Sequence, residues 1–353
     1  HARHPAPRHL ELPDWLHPDD AEGIQQQLFP HVEQRWHDAL DPYHQAGINH
    51  EVYLKCWALA DPIIPVDYIL FDEAQDSDPL MLGILMQQKR AQVIYVGDAH
   101  QQIYQWRGAV NAMQKLPLPD TRLTRSFRFG DAVAEIANVF LKELGETTPL
   151  QGMPSVASRI DLSPIMRSKN AVLCRTNARA MSLLMGGLVQ GHKVALQADT
   201  DRLLKFVQAA GALKAGKKVF DVPELAWFNS WQEVHEYCES SDSSDIKPLV
   251  KLVDEHGTEP LKKALNGISS IESADYVIST AHKAKGLEWQ QVQIEDDYNY
   301  KISKGNVQIS PEELRLLYVA TTRAKSVLNV HHLQPLIGTL RAQQNKKAKA
   351  ATG

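Results

Sequence analysis

The sequence has 353 residues, enough for two or three domains with cores of their own, and nearly balanced charge, 38 Lys+Arg against 42 Asp+Glu. That balance excludes a globally basic nucleic-acid binder, so any contact with a polyanion must come from local patches. Three widely spaced cysteines (Cys56, Cys174, Cys238) with no CxxC pair exclude a disulfide framework and a zinc site and fit a reducing compartment; no apolar run reaches the length of a membrane span, and no signal peptide is recognisable.

Residues 1–60 read as helical pieces. The opening HARHPAPRHLELP has neither a helical nor a strand period and starts with His, as expected of a sequence that begins inside a longer protein. In HPDDAEGIQQQLFPHVEQRWHDAL the apolar residues Ile24, Leu28, Val32 and Trp36 recur every fourth position, a helical stripe kinked or broken at Pro30, with Asp19 or Asp20 as its cap. VYLKCWALADP is a second short amphipathic helix. Residues 61–120 alternate: strand YILF, helix PLMLGILMQQK, strand AQVIYVGD, then HQQIYQWRGAVNAMQKL, a loop that becomes a helix. Two strands leading into Asp72 and Asp98 around a helix predict a βαβ unit of a parallel sheet.

After the proline-marked break LPLPD (116–120) a second α/β region begins. RLTRSFRFGDAVAEIANVFLKEL predicts a short strand and then a helix with Ala132, Ile136 and Phe140 on one face. AVLCRTN is a strand, residues 201–268 are mostly helical with a flexible spot at ESSDSSD, and YVISTAHKAKGLEW is a strand running into a basic loop. VQIEDDY, EELRLLYVATTRAK and SVLNVHH predict strand, helix and strand. The tail RAQQNKKAKAATG is basic and low in complexity and is expected to be disordered.

Five stretches carry chemistry. In VDYILFDEAQD a buried strand ends in carboxylates at the sheet edge where open α/β sheets hold ligands. Asp72 suits a Mg²⁺ beside nucleotide phosphates and Glu73 the orientation or deprotonation of a water, the alternative being a turn or helix cap. In GDAHQQIYQWRGAV, Gln101 follows a strand end, and Tyr104, Trp106 and Arg107 form the aromatic and cationic cluster that stacks single-stranded bases, or else a tryptophan packed in a core. In TRSFRFG, Arg125 and Arg128 precede a helix start that suits an anion, or are surface arginines. STAHKAKGLEW sets lysines, His282 and Gly286 after a strand, with Glu288 able to accept a ribose hydroxyl; a charged surface loop reads the same way. In LLYVATTRAK, Arg323 stands in a helix whose apolar face is Leu316, Leu317, Val319 and Ala320, as a finger onto a γ-phosphate or as a solvated arginine.

In this order, DEAQD, GDxxQQIYxWRGA, SFRFG, TAHKAKGLEW and LLYVATTRAK resemble motifs II to VI of superfamily 1 helicases of the UvrD/Rep type over residues 69–325. HQQIY, RGAVNA, SFRFG, TAHKAKG and VYLKCWALADP look most like the F-box DNA helicase branch, although no F-box is present. The resemblance implies tandem RecA-like parallel-sheet motor domains, the first incomplete, with helical insertions: a 1B-like remainder at 1–60, domain 1A at 61–120, domain 2A at 121–200 and 269–335, a 2B-like insertion at 201–268 and a tail at 336–353. It also implies ATP and Mg²⁺ as cofactors, 3′→5′ movement on single-stranded DNA, 3′-tailed duplex as substrate and no membrane partner. The expected compartment is the cytoplasm if the source is bacterial or phage and the nucleus if it is eukaryotic.

By residue, the resemblance gives Asp72 the metal, Glu73 the attacking water, and Gln101 the γ-phosphate and its coupling to DNA. Arg128 and Arg323 reach the γ-phosphate from the second motor domain, and Gly286 and Glu288 line the nucleotide cleft. Tyr104, Trp106 and Arg107 grip single-stranded DNA, with His282 and Lys283 near the strand.

One departure stands out: no GxxxxGK[ST] phosphate loop occurs, and only about 70 residues precede DEAQD. The expectation is a chain that starts inside the insertion before motif II and does not hydrolyse ATP alone. The second expectation is a non-hydrolysing helicase remnant that binds DNA or a protein. A small-molecule kinase has no need of the Tyr104–Trp106–Arg107 cluster.

Overall fold

The computed structural model describes residues 4–10, 12, 17–41, 43–44, 48–105, 108–164, 166, 169–240 and 246–352. Trp106 and Arg107, and residues 241–245 of the expected flexible spot, lie outside the described residues. The chain divides into two units, His1–Leu118 and Pro119–Gly353.

The first unit opens with α1 (Pro18–Leu40), which carries Pro30 inside it without ending, and α2 (His50–Leu59). Asp19 and Asp20 fall within the first turn of α1 rather than at its cap. Asn49 caps α2 by accepting from the Val52 amide at 2.9 Å. Strands β1 (Tyr68–Phe71) and β2 (Gln92–Tyr95) pair in parallel around α3 (Pro79–Met86), the expected βαβ unit. Asp78 starts α3 by accepting from the Leu80 and Met81 amides, with Pro79 at the position where its missing N–H costs nothing. A short helix α4 (Ala112–Lys115) closes the segment. Tyr68, Leu70, Ile94 and Val96 turn an apolar sheet face to solvent.

The second unit holds a six-stranded all-parallel sheet. Its strands are β3 (Arg159–Asp161), β4 (Ala171–Cys174), β5 (Val194–Gln197), β6 (Tyr276–Thr280), β7 (Trp289–Ile294) and β10 (Ala324–Asn329), in the order β3-β10-β7-β4-β6-β5. β4 and β6 are buried at every position, as strands covered on both faces must be. The helices are α5 (Asp131–Glu143), α6 (Asn177–Val189), α7 (Thr200–Lys214), α8 (Trp231–Ser240), α9 (Lys247–His256), α10 (Thr258–Asn266), α11 (Pro311–Thr321) and α12 (Gln334–Thr352). Helices α6 to α10 share one core with Val172, Cys174, Val194, Leu196, Tyr276 and Ile278 of the sheet, so residues 201–268 pack onto the sheet rather than standing apart from it. Helix α5 packs with α11, α12, β3 and β10. Ser310 caps α11 through the Glu313 amide, and Leu316, Leu317, Val319 and Ala320 are all buried; each large apolar side chain contributes roughly 1.5–3 kcal/mol.

Three expectations are corrected, and one element, the hairpin at 300–309, was not anticipated. The tail is not disordered: α12 runs to Thr352, with Leu336, Ile337 and Leu340 buried, Gln344 bonded to Val139 and Glu143, and Lys347 paired with Glu143. Its Ala and Lys content favours helix once the apolar first half is anchored. The short strand in RLTRSFRFG is only an isolated bridge, Arg125 with Gln151. Residues 300–309 form a hairpin of β8 (Tyr300–Ser303) and β9 (Asn306–Ile309), turned by Lys304 and Gly305 with both φ positive (50° and 74°), the twist a two-residue hairpin turn requires. Arg323 lies beyond the end of α11, not inside it.

Candidate functional site

In the first unit β1 stops at Phe71 and delivers Asp72 and Glu73 to the carboxyl edge of the strand, both exposed. The Glu73 amide donates to Asp72 Oδ1 at 2.8 Å. Glu73 itself sits in the left-handed region (φ 54°, ψ 36°), a costly backbone for a residue with a Cβ and one that persists where the surroundings dictate it. The chain then makes a turn over Ala74–Asp76 that is pinned to the exit of β2: the Ala74 amide donates to Val96 O at 2.9 Å. Gln75 is buried beneath the carboxylates, with Nε2 donating to Glu73 Oε2 at 2.5 Å and Oε1 accepting from the Asp98 amide at 3.0 Å.

The second acidic residue of this edge, Asp98, is used structurally. Its Oδ1 accepts from the His100 amide and its Oδ2 from Gln101 Nε2, each at 2.9 Å. Gln101 is therefore half-buried at the foot of the segment that leads to Tyr104, also half-buried. Among the described residues no group of three or more His, Cys, Asp or Glu side chains converges as a cation site.

In the second unit three candidate residues meet. Arg128, just ahead of α5, donates through Nε to Glu288 Oε2 at 2.7 Å and through Nη1 to Thr322 O at 3.1 Å. Lys325 Nζ donates to the other oxygen of Glu288 at 2.7 Å. Hydrogen bonds from Lys325 and then Arg128 hold the Glu288 carboxyl below the usual glutamate range. Arg323 adjoins this cluster but is buried to 1 %, its guanidinium bonded to Val319 O (2.9 Å), Leu287 O (3.3 Å) and Thr322 Oγ1 (3.0 Å). Arg125 points elsewhere, donating to Gln151 Oε1 at 3.1 Å.

Parallel topology separates the remaining residues. His282 and Lys283 follow the carboxyl end of β6, whereas Glu288 immediately precedes β7 at the opposite, amino edge of the sheet. The connection 281–288 must therefore run back from the carboxyl to the amino edge of the sheet, and Gly286 (φ +82°) supplies the left-handed step in it.

Two residues without an assigned role in the sequence belong to these clusters, and a third lies beside one of them. Gln75 lies two residues from Glu73, and Lys325 two residues from Arg323; spacing alone was the available signal. Phe127, next to Arg128, is 77 % exposed, an aromatic face in solvent that a core residue would not leave open.

Two family models match the chain, in the same order as the motifs: the UvrD/REP helicase N-terminal domain over residues 59–116 and the UvrD-like helicase C-terminal domain over residues 199–334. The chain belongs to the UvrD/Rep-type superfamily 1 helicases. Among curated proteins this helicase chain is similar to F-box DNA helicase protein 1 of Schizosaccharomyces pombe, 32 % identical over 320 residues, covering 81 % of the chain and 36 % of the relative. It is similar also to F-box DNA helicase 1 of Gallus gallus, 30 % identical over 338 residues, 82 % of the chain and 32 % of the relative. Gabija protein GajB of Bacillus cereus is 24 % identical over 323 residues, 74 % and 63 % respectively. The helicase chain thus spans about a third of the length of the two F-box relatives. No helix among its described residues is long and apolar enough to cross a membrane.

Proposed function

We propose that the chain is the motor portion of an ATP-dependent DNA helicase that moves 3′→5′ on single-stranded DNA and opens 3′-tailed duplex. In this reading residues 1–60 are the remainder of a 1B-like insertion, 61–120 the carboxyl-terminal part of domain 1A, 121–200 with 269–335 domain 2A, 201–268 a 2B-like helical insertion, and 336–353 an appendage of 2A. The observation that carries it is the Asp72–Glu73 pair, set at the carboxyl edge of a parallel βαβ unit by a strained backbone and a buried amide. Strained backbone of this kind clusters at active sites, and a carboxylate held in that way is suited to stand at a fixed place beside phosphates. The apolar sheet face of the first unit supports its being part of a larger α/β domain.

Asp72 would hold Mg²⁺, which would supply positive charge to the nucleotide's phosphates. Glu73 takes the proton of the attacking water, and Gln101 reports on the γ-phosphate. Arg128 turns from Glu288 to the γ-phosphate, Arg323 supports it from the adjoining turn, and Gly286 and Glu288 line the nucleotide's sugar side. Phe127 offers its exposed face to the base. Tyr104, Trp106, Arg107, His282 and Lys283 engage the DNA strand. The test is Glu73→Gln in the full-length protein: nucleotide binding is retained and hydrolysis falls by at least about a hundredfold, the scale of a general base. Turnover equal to wild type would remove the base assignment.

A second reading, a helicase remnant that binds DNA or a protein without turnover, is favoured by one fact, the absence of GxxxxGK[ST] from the sequence. DNA-stimulated ATP hydrolysis by the full-length protein excludes it.

A further inference from the structure

Gln75 is buried to 1 % between two elements that the proposed hydrolysis must coordinate, and both ends of its amide are engaged. Nε2 meets Glu73 Oε2 and Oε1 meets the Asp98 amide. This orientation is the one the chemistry permits: flipped, the carbonyl oxygen would face a carboxylate and the NH₂ would face an N–H. Room is equally restricted. A Cβ at Gly97 would lie 2.3 Å from Gln75 Oε1, so the backbone leaving β2 packs directly against the amide and a side chain there would have to displace it. The contacts continue, since Asp98 in turn accepts from the His100 amide and from Gln101 Nε2. Glu73, Gln75, Asp98 and Gln101 thereby form one hydrogen-bonded chain.

We infer that Gln75 is a positioning residue for hydrolysis, fixing the Glu73 carboxylate and tying it mechanically to the Asp98–Gln101 turn. The inference rests on the reading of Glu73 as the base. In that step the water oxygen bonds to the γ-phosphorus as its bond to the β,γ-bridging oxygen breaks. ADP leaves with the electron pair, and the water's proton goes to the Glu73 carboxylate. Gln75 exchanges no proton. Donation to a carboxylate weakens it as a base, so the advantage of the contact is orientation and not basicity. The same rod carries displacement of the turn below Tyr104 to the carboxylate, which gives DNA occupancy a route to the hydrolytic step.

Two variants of the full-length protein test this, with ATPase measured with and without single-stranded DNA. Gln75→Leu keeps the shape and loses both bonds. It lowers kcat about tenfold or more, changes KM for ATP by less than about twofold, and reduces the stimulation by DNA. Gln75→Glu supplies the signature that a merely structural role lacks. Ionised, the new carboxylate repels Glu73; protonated, it donates in place of the amide. Its kcat relative to wild type therefore rises as pH falls from about 9 to about 6, a trend read within one folded protein. If Gln75→Leu turns over like wild type, or the Gln75→Glu ratio is flat with pH, while Glu73→Gln is inactive, Gln75 is not a positioning residue and the base assignment stands. If wild type shows no hydrolysis, or Glu73→Gln hydrolyses normally, the underlying reading falls and this inference with it.

Discussion

Arg323 is the residue at which expectation and coordinates differ most. The family resemblance implies an arginine that reaches the γ-phosphate from a helix; the side chain is instead enclosed beyond the helix end and bonded to two backbone carbonyls and a hydroxyl. Truncation to alanine leaves those acceptors buried without their donor and should cost about 2–4 kcal/mol of stability in addition to any loss of rate. Denaturant unfolding of Arg323→Ala beside its ATPase measures both; a variant as stable as wild type would contradict the enclosed arrangement. Arg128 is the contrasting case. It is half-exposed and its partner Glu288 is a surface carboxylate, so Arg128→Ala should spare stability to within about 1 kcal/mol and act chiefly on rate. Glu288 has a depressed pKa, so its contribution is present above the ordinary glutamate range and is lost as pH falls through the lowered value.

At the scale of elements, the helical layer α7–α10 shows how a polar node can orient helices that a common apolar core would hold only loosely. Asp254 of α9 accepts from Lys214 Nζ of α7 and from Trp231 Nε1 of α8, each at 2.9 Å, and lies 3.1 Å from His235 Nε2. Burial alone would raise the Asp254 carboxyl; the hydrogen bonds from Lys214 and Trp231 outweigh it and hold the pKa below the usual aspartate value. The sign follows: stability from this node is complete above the unfolded aspartate pKa and disappears as pH falls through the lowered folded value. Asp254→Asn should cost about 1 kcal/mol at neutral pH and less in acid, so the wild-type and variant unfolding curves converge as pH is lowered. A gap that does not narrow would show that the node is not electrostatic. The mostly helical character of residues 201–268 was legible beforehand; which helices meet at Asp254 was not. Nor were the hairpin β8–β9 and the order in α12. A Lys–Gly turn is a weak hairpin signal, and a basic Ala-rich tail becomes helical when the preceding apolar turn is docked.

For the whole molecule, each unit presents its own set of motif residues: Asp72, Glu73, Gln75 and Gln101 in the first, and Arg128, Glu288, Arg323 and Lys325 in the second. Hydrolysis in the proposed function needs both sets, together with a backbone cradle for phosphates that the GxxxxGK[ST] pattern would provide. A polypeptide of these 353 residues, in which that pattern does not occur, should therefore show no meaningful ATP hydrolysis; stimulated ATPase from a preparation whose intact mass matches 39.6 kDa would refute this. In the full-length protein Trp106→Ala should weaken single-strand binding by about 1–3 kcal/mol, measured by fluorescence titration; unaltered affinity would make it a core tryptophan.

Sequence alone determined the order of the motifs, the βαβ alternation of the first unit and the carboxylates at the end of β1. These follow from local composition and period, which act over a few residues and survive in any context. Only tertiary structure decided that Gln75 spans Glu73 and Asp98, that Glu288 gathers Arg128 and Lys325, and that Arg323 is enclosed. Those contacts join residues from 1 to 160 positions apart, and which donor reaches which acceptor depends on how turns are pinned against neighbouring strands. Local pattern carries no information about that until the chain has closed on itself.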